Sequence, residues 1–171
     1  MTASRASIRR DGGNAAAEMA LLVPLLVILG MGSIEVGNYF LSEHKLVQSV
    51  RDATRYIARQ DFSNFNTCTA SWSAVPNNTL ADGTKIVDNT KAIVKQPALN
   101  WTGTGMTIDV EMMCDSATGS LGGIYNNTGG VARLVRVTAH VPYASSAAYG
   151  LGVNFNGYFM NASEQAAVTG V

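Results

Sequence analysis

The chain has 171 residues, 47% hydrophobic and only 14% charged, with 12 basic and 12 acidic residues balancing to a net charge of zero. That length points to one domain with appendages, and the charged fraction falls well below the roughly 25% of an average soluble domain, as it does when part of a chain lies in lipid. A nucleic-acid partner is excluded, because phosphate binding needs a concentrated excess of Lys and Arg.

Residues 1–13 are basic and turn-prone, with Arg5, Arg9 and Arg10 followed by Asp11-Gly12-Gly13. An apolar run then extends from Met19 to Ile34, broken only by Pro24, Gly30, Gly32 and Ser33. Counted from Ala15 to Val36, with Glu18 and Glu35 tolerated, the segment has 22 residues. As a helix it spans about 33 Å, enough for a hydrocarbon core of about 30 Å. Three arginines precede it and no Lys or Arg follows until Lys45. The positive-inside bias therefore puts the N-terminus in the cytoplasm and the rest outside it, periplasmic or extracellular. The expected division is a leader over 1–13, a transmembrane part of the helix over 14–37 and an extracytoplasmic α+β domain over 38–171. Two other readings fit a basic start and an apolar run: a cleaved secretory signal peptide and a plain signal anchor. Glu18 fits neither, since a carboxylate at the edge of a membrane segment is unfavourable and by default suggests a function. Pro24 removes one backbone hydrogen bond, and is read either as a tolerated kink or as flexibility that helps subunits leave the bilayer.

Beyond the apolar run, Leu46, Val50, Ala53 and Ile57 fall on one helical face. With no proline between Leu25 and Val75, a single helix from Ala15 to Arg59 is expected, about 65–70 Å long. Arg51, Arg55 and Arg59 form a second stripe, with Asp52 placed to pair with Arg55. It reads as a solvated face or as a contact surface for acidic patches on neighbouring subunits. Asp61 to Asp82 reads as loop. A short helix follows, capped by Asp82 or Thr84, with Ile86, Val87, Thr90, Ile93 and Val94 on one side and its end before Pro97.

Strand patterns come next. Met106, Ile108, Val110, Met112 and Cys114 alternate with polar residues, as do Val135, Val137, Ala139 and Val141. The Gly/Asn-rich Asp115–Gly130 stretch makes this pair a long-looped hairpin, and a third strand is expected from Phe155 to Val168. The apolar face of this sheet needs cover, and the Leu46–Ile57 stripe can supply it. Cys68 and Cys114 permit a single intramolecular disulfide if the domain is exported, or two buried thiols if it is not.

No catalytic constellation emerges. His44 and His140 lack Cys or acidic neighbours at metal-ligand spacing, and Asp109, Glu111 and Asp115 read as solvated surface. No metal site or cofactor is indicated. The acceptor triplets at Asn77, Asn100 and Asn161 read as ordinary polar residues. Tyr143, Tyr149, Phe155, Tyr158 and Phe159 read as core packing in preference to an adhesive patch.

The stretch Gly13-Asn14-Ala15-Ala16-Ala17-Glu18-Met19 resembles a prepilin cleavage signature. Together with Leu21-Leu22-Val23-Pro24-Leu25-Leu26, Ile34-Glu35-Val36-Gly37 and Arg51-Asp52-Ala53-Thr54-Arg55-Tyr56-Ile57-Ala58, it resembles the TadE-like minor pilins or pseudopilins of tight-adherence pili. One departure is Met19, where such pilins usually carry an aromatic residue. The resemblance implies a pilin-like fold, a structural role in adhesion-pilus biogenesis, and residence in the bacterial inner membrane. It implies cleavage between Gly13 and Asn14 by a prepilin peptidase, where glycine leaves the backbone unobstructed and extended. It further implies that Glu18 pairs with the new α-ammonium of a neighbouring subunit, compensating two charges that are unfavourable in lipid. The implied partners are that peptidase, the major pilin, other pseudopilins and an inner-membrane assembly platform driven by a cytoplasmic ATPase. A membrane-anchored binding module that never polymerises is the alternative, with a secreted enzyme a more distant one.

Overall fold

The computed structural model describes residues 12–95, 105–116, 131–144 and 158–170. Helix α1 runs unbroken over Gly12–Ala58, 47 residues, and passes through Pro24 without interruption. At 1.5 Å per residue it is about 70 Å long, close to the expected Ala15–Arg59 rod. Its two halves meet different surroundings. From Met19 to Leu41 most of its large apolar side chains, among them Leu21, Leu26, Ile28, Leu29 and Ile34, are exposed, while Met31 and Tyr39 are partly buried. From Leu46 onward the predicted stripe goes under: Leu46, Val50, Ala53 and Ile57 are all fully buried.

The cover is a four-stranded antiparallel sheet in the order β1-β2-β3-β4, made of β1 (Ser73–Ala74), β2 (Thr107–Ser116), β3 (Val131–Pro142) and β4 (Phe159–Ala167). Its register stacks the alternating apolar positions into rows: Ile108 faces Ala139, Val110 faces Val137 and Met112 faces Val135, with Met160 beyond Val141. All of these are buried. A second helix, α2 (Ile86–Lys95), lies against α1 and also touches β2, burying Ile86, Val87, Thr90 and Val94. The domain is thus an α+β layer pair, with two helices on one face of the sheet and the core between the layers.

Three local expectations change. The Asp61–Asp82 stretch is not all loop: it holds a 3₁₀ turn, Phe62–Phe65, whose cap Asp61 accepts from the Ser63 N–H, and it holds β1. The Ser63 hydroxyl and N–H both hold the Asp61 carboxyl below its ordinary value. The cap of α2 is neither Asp82 nor Thr84. Asp82 instead folds the turn before the helix, accepting from the Thr84 N–H and hydroxyl. The first N–H groups of α2 are taken by the Asn78 carbonyl, 3.1 Å from the Ile86 nitrogen, and by Asn77 Oδ1, 3.0 Å from the Val87 nitrogen. Side-chain capping from ten residues upstream satisfies the same orphan donors as a local cap. The third strand is Phe159–Ala167, and Phe155 lies outside the described residues, as do Pro97 and the Gly/Asn-rich loop beyond Ser116.

The ends of the core are closed by long-range contacts. The Thr169 N–H donates to the Ala58 carbonyl at 2.8 Å, satisfying the end of α1 from 111 residues away. Gly170 follows at φ +54°, and a side chain there would run into the Phe62 ring, so this position needs glycine for both backbone and space. Arg133 stacks over the other side of that cluster, 5.4 Å from the Phe62 ring. On the outer sheet face, Arg136 donates to Glu111 at 2.9 Å and lies 4.2 Å from the Trp72 ring. Glu111 is therefore an ion-pair partner, while Asp109 and Asp115 are solvated as expected.

Cys68 and Cys114 form a disulfide with a Cα–Cα distance of 5.3 Å, and the Cys114 N–H donates to the Thr69 carbonyl beside it. The bond ties the irregular segment before β1 to the sheet across a sequence separation of 46. In the chain-entropy model a loop of that size stabilises by about 4 kcal/mol. We expect a Cys68→Ser, Cys114→Ser double variant of the full chain in detergent to lose up to that amount in denaturant unfolding. An unchanged midpoint would mean that Trp72, Arg136 and the backbone bonds hold the segment by themselves.

Candidate functional site

The functional residues expected from sequence lie along α1. Gly13 and Asn14 occupy its first turn, so the bond between them is helical. Glu18 is exposed, one turn further on, and among the described residues nothing pairs with it. Glu18 and the large side chains that follow it form a largely bare apolar surface with a single acid at its N-terminal end. The helix is long and apolar enough to cross a membrane.

The basic stripe splits. Arg55 pairs with Asp52 at 3.8 Å, as the spacing predicts. Arg51 is committed within its own chain: its Nε lies 3.8 Å from Oε1 of Glu164 on β4. Glu164 faces Val137 across the strand pair, so it occupies an inward register position and reaches α1 from the sheet edge. Both side chains stay substantially exposed, so the pair contributes at most about 1 kcal/mol. It sets the position of β4 against the helix.

The site that sequence reasoning did not assemble sits where the bare half of α1 meets the domain. Glu35 ends the apolar run, and the Tyr143 hydroxyl donates to its Oε1 at 2.8 Å. Tyr143 follows β3 directly, and its ring meets Tyr39 edge-on with centroids 5.2 Å apart. Tyr39 in turn packs edge-on against Phe40 at 6.0 Å. These residues, with Gly32, Val36 and Tyr158, line a cleft of about 490 Å³. Of the five aromatic residues read as core, Tyr143 is partly buried here, whereas Tyr158 is 58% exposed and Phe159 43%. Those two are surface residues, and Phe159 stacks on His140 at 4.4 Å. Tyr149 and Phe155 lie outside the described residues. Glu35 was detectable by the rule that draws attention to Glu18, an acid inside an apolar run. Tyr143 carried no such signal.

Among the described residues no group of three or more His, Cys, Asp or Glu side chains is placed to hold a metal ion.

Burial, then the hydrogen bond to Glu35 and the charge of that carboxylate, push the Tyr143 phenol from 10.0 up to about 12. A raised value means that the folded state holds this proton more tightly than the unfolded chain. The resulting stabilisation is complete below pH 10.0 and is lost as pH rises through about 12. In a spectrophotometric titration Tyr143 should ionise late, and Glu35→Gln should move it down while leaving the burial contribution. A Tyr143 that titrates with ordinary exposed tyrosines would show that the Glu35 contact does not persist in solution.

Residues 13–55 match the family model of TadE-like proteins. The match takes in nearly all of α1, from the first turn through the buried stripe, and none of the strands. No curated protein and no solved structure gives a significant match. Over its N-terminal helix the chain is similar to the TadE-like family, and its long helix on a small antiparallel sheet is a pilin-like arrangement.

Proposed function

We propose that this chain is a structural pseudopilin or minor pilin, held in the bacterial inner membrane by α1 and used in the biogenesis of a tight-adherence pilus. The observation that carries the reading is the change of surroundings along one unbroken helix: apolar and bare from Met19 to Leu41, buried from Leu46. A soluble domain has no use for such a surface, whereas a bilayer or a bundle of like helices covers it. The TadE-like match over the same segment supports it.

In this reading the arginine-rich leader stays in the cytoplasm and the disulfide-bonded domain lies beyond the membrane, where oxidation is permitted. A prepilin peptidase cuts between Gly13 and Asn14. Asn14 then carries an α-ammonium one turn from Glu18 along the helix. Within a single chain that geometry places both charges at the same end of the rod. Between subunits shifted along their axes, the carboxylate of one meets the ammonium of the next, and the pair sets the stagger. The other partners are the major pilin, further pseudopilins and the inner-membrane assembly platform. The role is structural, and the polar face of the sheet needs no catalytic assignment.

Two measurements test this. The mature protein in its native host should begin at Asn14; an intact leader points instead to a plain anchored domain, and a start beyond the apolar run to a secreted protein. Glu18→Ala should leave membrane insertion unchanged, or slightly improve it by removing a charge, and yet reduce pilus number sharply. Normal piliation in that variant would rule out the charge pairing.

A further inference from the structure

We propose that the groove lined by Arg55, Tyr56 and Arg59 at the domain end of α1 receives a side-chain carboxylate from a neighbouring, non-identical subunit of the same assembly. The inference rests on the pilus reading above, in which other subunits lie along α1. It starts from a difference within the basic stripe. Arg51 is matched by Glu164 of its own sheet. Arg55 has only Asp52, at 3.8 Å, and the two side chains are 65% and 66% exposed. Arg59 is exposed and has no ion-pair partner among the described residues.

Asp52, Arg55, Tyr56, Arg59 and Gln60 line a groove of about 430 Å³. The Asn89 amide is fully engaged beside it: Nδ2 donates to the Tyr56 hydroxyl at 3.1 Å and to Thr84 Oγ1 at 2.7 Å. Tyr56 therefore accepts from Asn89, and its own O–H proton finds no acceptor among the described residues. The Gln60 amide is turned back onto the Tyr56 carbonyl. Two guanidinium groups and a hydroxyl proton are thus donors in excess, against Asp52 as the one carboxylate among the lining residues. Such a groove is complementary to a carboxylate, which takes charge-assisted bonds from guanidinium.

Height along the rod selects the source. Arg55 lies 37 residues beyond Glu18, about 55 Å along a helix axis. With Glu18 at the inner edge of a hydrocarbon core about 30 Å thick, the groove stands about 25 Å beyond the outer edge, more than a screening length from anionic headgroups. A second copy matches this face poorly. Lys45, Arg55 and Arg59 are exposed on α1 against Asp52, so two like faces set positive charge against positive charge. A different subunit with Asp or Glu at this height meets no such conflict. One that covers the bare half of α1 already runs along the same unbroken helix.

The first test uses the full chain in detergent, with a labelled pentaglutamate peptide as probe, pentaglutamine as neutral control, and fluorescence anisotropy as readout. Pentaglutamate should bind, and bind less as salt rises from about 0.05 M to about 0.5 M. Replacing both Arg55→Gln and Arg59→Gln should weaken binding about ten-fold, the loss of two charge-assisted contacts at an exposed site. Arg51→Gln should bind as the wild type does. Both arginines of the groove are exposed, so the double variant should keep the disulfide and unfold near the wild-type midpoint. No binding of pentaglutamate by the wild type, or undiminished binding by the double variant, overturns the proposal. The second test places a photo-crosslinker at Gln60 in the native host. The captured peptide should come from a different pilus subunit and carry Asp or Glu; a second copy of this chain, or a contact without acids, overturns the proposal as well. Peptide binding is read without any pilus, so its loss removes the groove alone, whereas a leader left uncut in the host removes the pilus reading and the neighbouring subunit with it.

Discussion

Everything in this molecule depends on one helix keeping its hydrogen-bonded backbone intact while its side chains pass from one solvent to another. The bare half of α1 is long and apolar enough to cross a membrane, and a segment in lipid must satisfy every N–H and C=O within the helix, because lipid offers no replacement. In the buried half, the same backbone regularity holds Leu46, Val50, Ala53 and Ile57 in a single row. That row is what the sheet packs on. A break anywhere between Phe40 and Leu46 would separate the anchor from the domain, and α1 contains no proline beyond Pro24. The rod is therefore one wall of the core and, in the proposed reading, also the attachment to the membrane.

The domain is fitted to that rod by contacts at its margins. Glu164 reaches Arg51 from the sheet edge, the Thr169 N–H closes the last turn at Ala58, and the Tyr143 hydroxyl meets Glu35 at the membrane end. None is strong by itself: the exposed ion pair and the neutral backbone bond each contribute about 1 kcal/mol, and the hydrogen bond to the Glu35 carboxylate about twice that. They act at three heights along α1, and so they oppose tilting of the sheet on the helix more than they add to its stability. The hydrophobic row supplies the energy and the polar margins supply the angle.

What was legible in the sequence followed periodicity. The spacing of Leu46 to Ile57 marked the buried face, and the alternation through Ile108–Cys114 and Val135–Val141 marked two strands and which side of each was inward. What was not legible were pairings between distant residues with no periodic signature. β1 has two residues, too few for any period. Asn77 caps α2 from beyond a turn closed by Asp82, and a local cap motif at Asp82 and Thr84 drew the assignment instead. Tyr158 and Phe159 read as core because aromatic residues usually bury; both lie exposed at the start of the edge strand β4, and sequence does not show which end of a strand the helices leave uncovered. The cleft shows the same limit. Glu35 was only tolerated in counting the apolar run, and its partner lies 108 residues away.

The two acids that bracket the apolar run are in opposite situations, and the contrast bears on function. Glu35 has a hydroxyl donor within its own chain; Glu18 has no partner among the described residues and is exposed. An acid whose purpose was to hold this fold together would be satisfied inside it, as Glu35 is. Near lipid an unpaired carboxylate is unfavourable, so its retention in an isolated chain has no structural reason. In the reading proposed above, the reason comes from another subunit that brings a positive charge to that end of the rod. A trimmed N-terminus on a like subunit is a cation at the same depth, on the same kind of helix, and its position is set by the cleavage that creates it. Glu35 holds the domain to its own helix, and in the proposed reading Glu18 is left to hold helices to one another.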